Sequence, residues 1–67
     1  MKELYSVCLL LSKNKGDGTV HEMLKMEVFE ANNINEAIGL AIHELWIDNY
    51  QIDMYQARRV EALNQEQ

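Results

Sequence analysis

Leu4-Tyr5-Ser6-Val7-Cys8-Leu9-Leu10-Leu11-Ser12-Lys13 is the stretch that decides the fold. In an extended chain successive side chains point to opposite sides, so Tyr5, Val7, Leu9 and Leu11 share one face while Leu4, Cys8 and Leu10 share the other with Ser6 and Ser12. Apolar side chains on both faces describe a strand in the middle of a sheet rather than at its edge.

Working outward, Asn14-Lys15-Gly16-Asp17-Gly18-Thr19 is a cluster of turn formers whose glycines can supply positive φ. Beyond it Thr19–Ala31 alternates, with Val20, Leu24, Met26 and Val28 on one side and His21, Lys25 and Glu27 on the other alongside Met23 and Phe29. The two runs predict a hairpin.

Asn33 followed by Glu36 has capping-box spacing, in which each side chain can satisfy an amide left orphaned at a helix start. Ile34, Ile38, Ala41, Ile42 and Leu45, with Ala37 and Trp46 at the margins, then form one stripe at helical spacing to about Asp48. From Tyr50 to Val60 two patterns compete: Ile52, Tyr55, Arg59 and Leu63 make a poor helical stripe, and Tyr50, Ile52 and Met54 alternate as in a strand. We read a strand, because a lone hairpin is marginal and a third strand gives the sheet enough width to carry a helix.

The expected architecture is α+β in the order β–β–α–β: a three-stranded antiparallel-type sheet with the first strand central and one helix packed on one face. Residues 1–62 are expected to form a single domain, and 63–67 a flexible polar tail. One helix covers one face only. Leu4, Cys8, Leu10 and Phe29, with Tyr55 beside them, are expected on the bare face, and an exposed apolar sheet face marks an interface. The chain is accordingly expected to associate with copies of itself. On the helix, Leu40, His43 and Ile47 lie opposite the apolar stripe, and with Glu36 and Glu44 they make a candidate surface for a second protein.

Composition narrows the function classes. A chain of 67 residues is small for an independent domain and buries only about 60% of its unfolded surface, which favours association as a source of stability. Cys8 is the single cysteine, so no disulfide can form within the chain, and a reducing cytoplasm is the expected location. The longest apolar run, Val7–Leu11, is far short of a membrane span, and no secretory signal is expected from Met1-Lys2-Glu3 and the short apolar run behind it. Six basic against eleven acidic residues give a net charge of −5, which argues against direct binding of nucleic acid.

Catalytic patterns are sparse. Two histidines and one cysteine, far apart in sequence, fall short of a zinc ligand set, and His43-Glu44 lacks the second histidine of HExxH. Cys8 in an apolar strand reads as a small buried hydrophobe, and Gly16-Asp17-Gly18 as a turn rather than a phosphate loop. No cofactor is expected. Arg58 and Arg59, with Trp46 and Tyr55, could furnish phosphate-binding and stacking groups at a subunit seam, although a solvated strand end with packing aromatics is the simpler reading.

The short acidic chain, its hairpin and the helix Asn33-Ile34-Asn35-Glu36-Ala37-Ile38-Gly39-Leu40-Ala41 together resemble the small single-domain proteins of bacteriophages and mobile elements. Anti-CRISPR and other anti-defence inhibitors are frequent among these, and the resemblance implies stoichiometric binding rather than turnover. It assigns a role to no single residue. The leading expectation is therefore a non-enzymatic, homo-oligomeric binding protein that blocks a host or defence protein. The second is a protein that sequesters a nucleotide signal at a subunit seam, and an enzyme would require a site assembled between subunits.

Overall fold

The structure, a computed structural model, describes residues 1–61. The expected tail at 63–67, and Ala62 at the domain boundary, lie outside the described residues. Strand β1 (Glu3–Asn14) turns into β2 (Val20–Ala31), followed by helix α1 (Ile34–Leu45) and strand β3 (Gln51–Arg59). The sheet order is β2-β1-β3 and both pairings are antiparallel, so the chain between β2 and β3 crosses over the central strand. The α+β, β–β–α–β reading holds, and the strand alternative for 50–60 prevails.

The hairpin register follows from its turn. Gly16 and Gly18 both adopt positive φ, at 87° and 89°, and Lys15 N–H donates to the Thr19 carbonyl at 3.0 Å. Asn14 Oδ1 accepts from Gly16 N–H and Asp17 Oδ1 from Thr19 N–H, local bonds that hold the reversal. The turn sets Asn14 opposite Val20, and every later pair inherits that phase: Leu9 lies opposite Lys25, Val7 opposite Glu27, Tyr5 opposite Phe29.

Phe29 thereby falls on the helix side of the sheet, half-buried against the core, and not on the bare face where the sequence reading placed it. Alternation reveals which residues of one strand share a face. The relative phase of two strands is a property of the turn joining them.

The core is Tyr5, Val7, Leu9, Leu11, Ala31, Ala37 and Ala41, with Ile42, Leu45, Ile47, Tyr50, Ile52 and Ala57 packed around it. Ala37 and Ala41, not the isoleucines, are the helix residues fully removed from solvent. Small side chains let the helix backbone approach the sheet, where the large residues of β1 fill the space between, and Ile34 is left at the exposed margin.

The N-terminus of α1 is capped as expected, with Asn33 Oδ1 accepting from Glu36 N–H at 2.8 Å. Glu36 Oε1 accepts in return from Asn32 N–H at 2.7 Å, one residue earlier than in the usual box. The helix ends at Leu45, short of the expected Asp48. Trp46 is its C-cap with an extended backbone, Asn49 takes a left-handed φ of 74°, and Tyr50 N–H closes a turn onto the Ile47 carbonyl. The chain must return to the sheet here, and that turn folds Ile47 inward against the core. Ile47 therefore does not belong to the outward helix surface to which the sequence reading assigned it.

Candidate functional site

With α1 on one side of the sheet, the other side lies open. Register places Leu4, Ser6, Cys8, Leu10 and Ser12 of β1 on it, flanked by Val20, Glu22, Leu24, Met26, Val28 and Glu30 of β2 and by Gln51, Met54, Gln56 and Arg58 of β3. Its centre is apolar: Leu24 and Met26 are 68% and 69% exposed, and Met54 is 56% exposed. Those three residues flank Leu10 and Cys8 in two adjacent cross-strand rows, Leu24–Leu10–Met54 and Met26–Cys8–Gln56.

Strands of 9 to 12 residues in a three-stranded sheet make a face of roughly 500 Å² in projection, of which the apolar centre is a part. The charged residues of the face, Glu22, Glu30 and Arg58, stand toward its ends, and Gln56 is the polar residue of its central rows.

Leu4, Cys8 and Leu10 therefore occupy the surface expected of them. Leu24, Met26, Val28 and Met54 were not in the sequence-derived set, although the signal was available: Val20, Leu24, Met26 and Val28 share one side of their strand. Which side of the sheet that was depended on the hairpin register. Tyr55 lies opposite Leu9, on the helix side, and is 55% exposed because α1 does not reach over it.

The outward surface of α1 retains Leu40, His43 and Glu44 as exposed residues, with Glu36 exposed but engaged in the cap. At the other end of the helix, Trp46 Nε1 donates to the Tyr50 carbonyl at 2.8 Å, which ties the ring to the start of β3. Tyr50 Oη is 2.7 Å from His21 Nδ1, and Lys13 Nζ stands 5.7 Å from the Tyr50 ring centroid. This small cluster joins the hairpin end to the turn before β3 and was invisible in the sequence, where His21 and Tyr50 are remote.

Arg58, Arg59, Trp46 and Tyr55 do not converge within the protomer. Arg58 and Arg59 are consecutive in a strand and point to opposite faces. Arg59 sits between Glu3 at 3.2 Å and Glu61 at 3.3 Å, and Glu3 first, then Glu61, raises its pKa above the ordinary value. Tyr55 and Arg59 are about 13 Å apart along the strand at ~3.3 Å per residue.

Among the described residues no group of three or more His, Cys, Asp or Glu side chains could hold a metal ion, and no helix is long and apolar enough to cross a membrane. Comparison with protein-family models, curated proteins and solved structures gives no match to this chain.

Proposed function

We propose that this chain is a non-enzymatic binding protein that works as a homo-oligomer: two copies cover each other's open sheet face and present the outer surfaces of their helices to another protein. The single observation that carries this reading is the bare face itself, a sheet whose helix side packs against Ala37 and Ala41 and whose other side exposes Leu24, Met26 and Met54 to water. Burying such a surface is favourable at ~25 cal/mol per Å² of apolar area, and a domain this small has few other sources of stability. A copy of the same chain is always present at the concentration of the chain.

Leu40, His43 and Glu44 remain outward on the helix in such an assembly and form the surface for a target protein. Binding at this surface, in the manner of a phage-encoded inhibitor of a host or defence protein, needs no turnover.

Native mass spectrometry of protein purified gently from cells tests the reading in one spectrum. A ligand-free dimer, or a dimer carrying a co-purifying protein, is the expected result. A monomer at micromolar concentration would overturn it, and extra mass in the nucleotide range would replace it with ligand sequestration at the subunit seam.

A further inference from the structure

We infer that the partner copy lies face to face on the open sheet with its twofold axis running along β1, so that Arg58 of each protomer meets Glu30 of the other. This rests on the homo-oligomeric reading above and fixes its geometry. Two faces of roughly 500 Å² in projection give about 1,000 Å² for the pair, and accessible area exceeds projection because it follows the relief of the side chains. The pair thus reaches the size at which specific interfaces begin.

Charge separates an axis along β1 from an axis across the strands at the Cys8 row. On the open face β2 carries the carboxylates Glu22 and Glu30, and the paired positions of β3 carry one cation, Arg58, and no carboxylate. An axis along β1 lays β2 over the partner's β3. Arg58, in the row of Ser6 and Val28, then stands one row from Glu30 of the facing strand, ~7 Å along the strand and within reach of a guanidinium. The same operation sets Leu24 on Met54 and Met26 against Gln56, which closes the apolar centre. An axis across the strands through Cys8 lays β2 on β2 instead and stacks Glu22 on Glu30 twice, a like-charge contact that costs affinity.

Arg58 makes no ion pair among the described residues, since Glu3 and Glu61 both belong to Arg59. Arg58 and Glu30 are both exposed, so their reversal leaves the protomer's core intact. Aligned packing of two sheets ~10 Å apart also places both helices on the outside, one on each flank. Each helix surface is thus left outside the contact between the two copies.

Sedimentation equilibrium of Arg58→Glu, Glu30→Arg and the double variant tests the arrangement. Each single reversal is expected to raise the dimer dissociation constant at least tenfold, and the double to return within about threefold of the unaltered protein. Isotope-filtered NMR on mixed labelled dimers gives a second reading, with contacts expected between Leu24 methyls of one protomer and the Met54 methyl of its partner.

Single losses that add in the double variant, or filtered contacts linking Met26 to Met26, would overturn the axis while leaving the dimer standing. Rescue of Arg58→Glu by Asp53→Arg would do the same, since it would place β3 on β3 through the bulge at Asp53. An unaltered protein that stays monomeric would instead remove the homo-oligomeric reading itself.

Discussion

Leu9 and Leu10 are adjacent on the central strand and point to opposite faces, so truncating each in turn separates the cost of the closed core from the cost of the open face. Leu9 is 0% exposed and packed among Val7, Leu11, Ala37 and Ala41. Leu9→Ala removes three carbons from a site whose helix wall already consists of alanines, leaving little side-chain volume to collapse into the gap. The loss belongs in the upper part of the measured Leu→Ala range, about 3–4 kcal/mol. A chain of 67 residues has a total stability of roughly 3–10 kcal/mol, so this single change takes a large share of it.

Leu10 is half-buried in the protomer. Leu10→Ala costs a lone protomer about 1–2 kcal/mol, and a dimer about 1 kcal/mol more for each of two copies, or roughly thirtyfold in dissociation constant. Urea unfolding at two protein concentrations a hundredfold apart distinguishes them. With a slope of ~1 kcal/mol per M for so small a domain, Leu9→Ala should lower the midpoint by about 3 M at both concentrations. Leu10→Ala should lower it modestly, with a loss that depends on the concentration. Equal losses for the two variants, or a Leu10→Ala loss blind to concentration, would refute the division into one closed and one open face.

Two local features give further predictions. Asn33→Ala removes the acceptor for Glu36 N–H and should cost about 1 kcal/mol, a shift of ~1 M in urea midpoint that Asn33→Ser largely avoids; an unchanged midpoint would mean that the cap is dispensable. Asp17 is held below the ordinary carboxylate range by hydrogen bonds from Thr19, the hydroxyl first and then the backbone N–H. Its folded pKa being the lower one, the turn gains stability above the unfolded pKa and loses it as pH falls through the folded value. A carbon-detected NMR titration should show the Asp17 midpoint rising toward that of a free aspartate in Thr19→Ala.

From the sequence alone follow the hairpin, the helix start and their order, while residues 50–60 stay divided between a helical and a strand pattern. Apolar side chains on both faces of Leu4–Lys13 pointed to a central strand, the glycines at 16 and 18 to a reversal, and Asn33 with Glu36 to a helix start. The sequence also determined that one helix could cover only one side of the sheet, and hence that a bare face existed.

Tertiary structure decided which residues formed that face. Period-two alternation defines the two sides of each strand separately, but the phase between strands is set by the turn, which paired Phe29 with Tyr5 and left Leu24, Met26 and Val28 outside. The helix end was likewise set by the need to return the chain to the sheet edge, which stopped α1 at Leu45 and turned Ile47 inward. Arg58 and Arg59, adjacent in the sequence, were divided by the pleat into one residue facing the open side and one held by Glu3 and Glu61. Each of these outcomes depends on contacts between residues distant along the chain, which local pattern does not encode.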